Sequence, residues 1–295
     1  MTLLALVVLL TAGAQVALLL GFATLLLLRR ERSAIGARGG EPGGRPRDDR
    51  AAARHWWRRA EAARRSGDVA RLGDRELLNR LLDDPHPAVQ SAATASLAPL
   101  VDARLVGRLL DRLPERPMAI RLQQFGLLRD ALPLTAATLM ERLTLDAPPR
   151  RLKSWIALVE TLGSPELLAR VAALHSHPEP LIRLSVARAL RHYRHPEAEE
   201  MLLIALHDHD WRVRAVAARS LGRHGNVSAV PRLAAGLRDV RWWVRFRCGL
   251  ALAQLGAAGR GALDDARRDV DRYAGEMATM IAGLSPDSVI ELSEG

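Results

Sequence analysis

The apolar positions of this chain fall at helical spacing and return every 31 residues. Residues 208–222 read DHDWRVRAVAARSLG, and residues 239–253, 31 further on, read DVRWWVRFRCGLALA. Steps of 31 from Val213 land on Val89, Ile120, Arg151, Ile182 and Val244, so five of the six reference positions are β-branched and apolar. Leu97, Leu128, Leu190, Leu221 and Leu252 lie eight residues after these positions, Arg121, Arg183, Arg214 and Arg245 directly after them, and Asp84, Asp208 and Asp239 five before. Self-similarity at such a period predicts stacked helical units, because one short helix pair cannot bury its apolar stripe without a neighbour.

The spacing predicts first helices over 75–82, 103–113, 135–145, 165–175, 196–207 and 227–238, each followed by a turn and a second helix that begins near the reference position. Pro85, Pro87, Pro117, Pro148, Pro149, Pro178 and Pro180 fall in the turns, where the ring cannot continue one helix yet fits the start of the next. Asp83, Asp208 and Asp239 are the expected caps. The unit around Arg151 is degraded. Leu152, Trp155, Ile156, Val159 and Leu162 keep helical spacing there, but Leu162-Gly163 matches Leu221-Gly222 only if the frame slips by three. The array is expected over 69–256. Beyond it, 257–284 reads as a capping segment with one closing helix over 263–284, and 285–295 as a mobile tail.

Before the array the pattern changes. Residues 2–28 carry no charge, and their only strongly polar side chain is Gln15. As a helix, 3–28 would be roughly 39 Å long, enough for a hydrocarbon core of about 30 Å. A transmembrane anchor is expected. A cleaved leader is the rival, with a small-residue site at Ala12-Gly13-Ala14, but a charged leading region is missing and the apolar run continues past it. Arg29, Arg30 and Arg32 flank the far end, which places the body in the cytoplasm and makes these arginines membrane-interface residues. Gly13, Ala17 and Gly21 recur every four residues, a face through which two spans can self-associate. Residues 29–50 read as a basic Gly/Pro-rich linker. Residues 51–68 read as an amphipathic helix in which Trp56 and Trp57 have two competing uses: covering the open end of the stack, or lying at lipid headgroup level.

Charge sharpens this division. The formal net charge is +10. Residues 29–65 hold twelve arginines against five carboxylates, which accounts for +7 and leaves only +3 elsewhere. A nearly neutral body speaks against a phosphate-gripping nucleic-acid binder. With aromatic residues at 4% and one cysteine, Cys248, the chain suits a Leu/Ala/Val helical core and has no internal disulfide framework. Cys248 stands four after its reference position, where Ala217 and Val186 stand in other units, and is read as packing.

Asp208, Val213, Arg214, Ala217, Ala218, Leu221 and Gly222 resemble the consensus of HEAT repeats, in particular the short form of bacterial proteins and of the phycobilin lyases. The resemblance covers roughly 74–256. It implies an all-α fold, a right-handed α-solenoid of about six helix pairs with the second helices lining the concave side. It also implies a ladder of charge-assisted hydrogen bonds between neighbouring units, in which Asp208 and Asp239 join Arg183, Arg214 and Arg245. The ladder is expected to be firmest in the fifth and sixth units.

Candidate chemistry is sparse. Arg188 and Arg219 fall on the exposed side of second helices with Arg191, His192 and Arg223 a turn on, a basic stripe suited to an acidic partner segment. His175, His177, His207 and His209 gather near turns with Asp208 and Asp210, a donor set that could hold zinc or iron. Yet the repeated His-Glu dipeptides of HEAT-like di-iron hydroxylases are absent, since proline separates His177 from Glu179 and His195 from Glu197. Trp211, Trp242 and Trp243 hold a regular phase that argues for packing between units. No phosphate loop, paired cysteines or nucleophile elbow is present. The sequence therefore points to a membrane-anchored scaffold at the cytoplasmic face of a bacterial inner membrane, binding a membrane-associated protein, with a subunit of an envelope or polysaccharide-export system as the expected setting. It is read as no enzyme, with no cofactor, no metal and no nucleic acid. The alternatives are a phycobilin-attaching lyase or a nucleic-acid-binding relative of HEAT-like DNA glycosylases.

Overall fold

The computed structural model describes residues 55–69 and 72–294. The anchor at 2–28, its Gly13/Ala17/Gly21 face, the linker at 29–50 and Arg29, Arg30 and Arg32 lie outside the described residues. Among the described residues no helix is long and apolar enough to cross a membrane.

Every regular element among the described residues is helical. After α1 (Trp56–Val69) the chain forms pairs: α2 (Leu72–Leu81) with α3 (Pro87–Leu97), α4 (Ala103–Arg112) with α5 (Met118–Asp130), and α6 (Leu132–Arg142) with α7 (Pro149–Leu162). Then come α8 (Leu168–Ala172) with α9 (Pro180–Leu190), α10 (Pro196–Ala205) with α11 (Trp211–His224), and α12 (Val230–Gly236) with α13 (Trp242–Gln254). A seventh pair, α14 (Gly256–Ala266) and α15 (Arg272–Ala282), replaces the single closing helix expected over 263–284, and α16 (Pro286–Glu294) replaces the mobile tail. The array hid this pair because Gly275 stands at the reference position and Val270 where an aspartate recurs. The Asp269 side chain nevertheless accepts from the Asp271 amide, and Asp271 caps α15.

The 31-residue seam is the core. Val89, Ile120, Ile182, Val213 and Val244 are buried, as are the leucines eight residues later. In the degraded unit Leu152, fully buried, takes the place that Arg151 cannot. At every step but that from α5 to α7, second helices lie closer to one another than first helices do, so they form the inner side of the stack. Prolines open α3, α7, α9, α10 and α16, where a missing N–H costs nothing.

Gly163, Gly225 and Gly256 end or join helices with φ of 60°, 73° and 66°, and they stand 62 and 31 residues apart. The degraded unit is thus in frame at its end; Gly163 corresponds to Gly225, not to Gly222. Gly222 serves packing instead, since a Cβ there would meet Gln254 Oε1 at 2.4 Å and the Ala251 Cα at 2.9 Å. Cys248 is buried against Gly236, and burial pushes its thiol up to about 12.

Candidate functional site

Two sets of polar side chains stand out, one joining the units and one on their inner face. In the first, Arg183 on α9 donates Nε and Nη2 to Asp208 at 2.6 and 2.8 Å, and Arg214 on α11 donates likewise to Asp239 at 2.6 and 2.9 Å. The same guanidiniums reach back with Nη1 to His177 O at 2.9 Å and to Asp208 O at 2.8 Å. Each arginine thus closes its own turn and clasps the next, a bidentate geometry that lysine cannot supply. Burial alone would raise the Asp208 and Asp239 carboxyls. The hydrogen bonds from Arg183 and Arg214, with those from the Asp210 and Arg241 amides, outweigh it and hold both below the usual carboxylate range.

Two features depart from the expected ladder. Arg245 has no carboxylate to clasp, because Val270 stands where one would be; it donates to Asp239 O at 2.8 Å and lies over the Tyr273 ring. A rung that the sequence reading missed joins Arg59 on α1 to Asp84 at 2.6 and 3.0 Å. Its signal was present, since Arg59 lies 31 residues before Gln90, which follows the reference Val89. The rung makes α1 a second helix of the stack. It packs on α3 through buried Ala60 and Ala63, with Trp56 stacked on His86 at 4.3 Å. Of the two uses weighed for this helix, the structure places Trp56 on protein; Trp57 is partly exposed and stacks on His55.

The expected caps also shift. Asp208 and Asp239 shape the turns by accepting from the amides two residues on, while Asp210 caps α11 and is pulled down to about 2 by hydrogen bonds from the Arg212 side chain and amide. Asp83 caps nothing and instead pairs with Arg108 and Arg116. His86 and His195 cap α3 and α10, and His177 accepts from the Glu179 amide. These histidines are occupied with backbone. Among the described residues no three His, Cys, Asp or Glu side chains converge as a metal would need. Trp211 packs against the core, whereas Trp242 and Trp243 are exposed and meet edge to face, with Trp242 stacked on Phe246 of its own helix at 4.9 Å.

The second set is the basic stripe, and the structure gathers it on the inner face. Glu160 on α7 accepts from Arg188 Nε at 3.0 Å and from Arg191, with the His192 ring beside the same carboxylate. Arg219 on α11 and Arg247 on α13 instead meet the last turn of α16. Arg219 Nε donates to Ser293 O and Arg247 Nη1 to Leu292 O, each at 2.8 Å. Arg223 makes no ion pair among the described residues and, with Arg191, Arg194 and Gln254, lines a cleft of about 450 Å³ beside Ile290 and Glu294 of α16. Burial lowers the pKa of Arg219, and repulsion from Arg247, Arg223 and Arg191 lowers it further. The face holds more cation than it neutralises. Arg247 was not in the expected stripe because it lies three after its reference position rather than six.

Residues 167–253 match the family described as HEAT repeats. No curated protein matches the chain. Among solved structures, the complex of CpcE and CpcF of phycocyanin lyase from Nostoc sp. PCC7120 is 17% identical, with 85% of this chain and 98% of that one covered at a TM-score of 0.35. A structure of Kap95p with RanGDP is 11% identical, covering 84% and 43% at 0.49. Human deoxyhypusine hydroxylase with glycerol is 21% identical, covering 91% and 99% at 0.35. At this level of likeness none of the three says what the present chain binds or does.

Proposed function

With residues 167–253 built of HEAT repeats as the premise, we propose that the chain is a scaffold that holds an acidic segment of a protein partner on its inner face. The observation that carries the reading is the surplus of cations where two successive second helices meet. Arg188, Arg191 and His192 share one carboxylate, Glu160, while Arg219 and Arg223 stand beside Arg191 with no ion pair of their own among the described residues and only Glu294 of α16 near them. Stacked repeats present extended inner surfaces, and a surface with surplus positive charge attracts and orients acidic chains. The role needs no catalytic residue, so the chain is a binding protein in this reading and not an enzyme. Residues 2–28 tether it to a bacterial inner membrane, with the repeats in the cytoplasm and a membrane-associated partner within reach; the support is their uncharged length and the arginines that follow.

Reversing two charges of the stripe, Arg188→Glu with Arg223→Glu, is expected to abolish capture of the partner in a crosslinked pulldown while leaving the melting temperature within about 2 °C of wild type. Undiminished capture by this variant would reject the stripe. Release of the chain from membranes by an alkaline wash would reject the anchor.

A further inference from the structure

The stripe already has an occupant. Helix α16 lies across it on α13, with its last three carbonyls aimed at two guanidiniums 45 to 75 residues earlier in the chain. Those carbonyls are the ones a helix leaves without partners, and they carry the negative end of its dipole, about half a charge. Arginines that side chains elsewhere in the stack satisfy with whole carboxylates are here given only backbone.

The helix is also lightly held. Of its side chains only Val289 and Ser293 are buried, while Ile290 is 58% and Leu292 39% exposed. Nine residues are too few for a helix to persist alone in water, so α16 has structure only while it is seated. Elements with so little buried surface open at far lower cost than the core.

We propose that α16 is a built-in, displaceable occupant of the arginine cleft, and that an acidic segment of the partner binds by taking its place on Arg219, Arg223 and Arg247. This rests on the inner-face reading above and adds regulation to it. The segment sets carboxylates directly on guanidiniums to which α16 offers carbonyls and the nearby charge of Glu294, and a cleft of about 450 Å³ beside the helix gives it a point of entry. The dissociation constant is then divided by the fraction of molecules whose cleft is open, so a mostly closed cleft weakens binding.

A fluorescent deca-glutamate peptide, titrated into the whole 295-residue chain at low salt, tests the idea on two variants. Val289→Asp unseats α16 without touching an arginine and is expected to tighten binding about tenfold, as for a cleft open in roughly one molecule in ten. Arg223→Glu is expected to weaken it in either background. Hydrogen exchange on the wild-type chain supplies a readout that needs no variant: saturating peptide should strip protection from 287–294 while α11 and α13 keep theirs. If α16 stays protected under bound peptide, or Val289→Asp binds no tighter, the displacement is wrong and the acidic-segment reading survives. If the peptide fails to bind, or binds regardless of Arg223, both fall together.

Discussion

A guanidinium that clasps a carboxylate of the next unit and a carbonyl of its own does two jobs, and removing it strands both partners. Arg214 and Asp239 are each mostly buried, with 14% and 12% of the side chain exposed. Charge-assisted hydrogen bonds of this kind contribute about 2 kcal/mol. For a body of this size that is a melting temperature lower by about 6 °C in Arg214→Ala, read by calorimetry. Arg245→Ala, which loses a carbonyl contact and a ring but no carboxylate, should fall by less than half as much. The pH dependence identifies the cause. The Asp239 carboxyl titrates below its ordinary value when folded, so its contribution is complete above the unfolded pKa of about 3.9 and is lost as pH falls through the folded one. The gap between wild type and Arg214→Ala should therefore be full at pH 7, begin to close as pH falls below the unfolded value of about 3.9, and narrow further in stronger acid. A gap that persists in acid would mean that the arginine acts by packing. The rungs were legible from the sequence because both partners recur at constant offset. Which aspartate each arginine takes was not, since the period alone does not say whether the clasp points forward or back.

At the scale of helices, glycine shows how one residue type hides two different constraints. Gly222 lies in the consensus-like run and Gly225 outside it, yet only Gly225 ends a helix in the left-handed region. Around Gly225 a Cβ has open space, so Gly225→Ala costs the strained backbone alone, about 1 kcal/mol. At Gly222 the added carbon meets the Ala251 backbone of α13, and α11 and α13 must part; overpacking of that kind costs about 1 to 3 kcal/mol. Urea melts should rank Gly222→Ala as the more damaging of the two, and the reverse order would refute the close approach. The pairs themselves could be read from apolar spacing, and the first helices were found to within a few residues because turn prolines bound them. The seventh pair escaped because its reference position is Gly275, which gives no apolar signal although Ala274, Met277, Ala278 and Ile281 bury the same face. Helix α16 escaped for a different reason: nine residues with two buried side chains carry almost no periodicity, and carbonyls, which have no letter in the sequence, make its anchoring contacts.

A stack stabilised by neighbours unfolds where neighbours hold least. Rungs join α1 to the turn before α3, α9 to the turn before α11, and α11 to the turn before α13. Between these blocks the pattern is replaced. Arg121 Nε is buried without a hydrogen bond, Asp111 draws Arg142 at 2.7 Å and Arg151 at 3.5 Å, and Trp155 donates to Leu110 O at 2.9 Å. Helix α7 also lies against α5 far less closely than α13 lies against α11. Arg151 is therefore more than a lapse in the repeat: it marks the seam between two blocks of regular units. In rising urea, amides of α5 and α7 should exchange before those of α11 and α13, and the transition should broaden into two phases. The C-terminal block, where two consecutive rungs fall together, should outlast the other. The binding face proposed above belongs to this block. The part of the molecule that keeps its shape longest is the part whose inner face presents the arginines, and a partner segment that must find several guanidiniums at fixed separation needs that rigidity. One sharp transition with uniform exchange across all second helices would show instead that the altered contacts around Asp111 hold the middle of the stack as firmly as the rungs hold its ends.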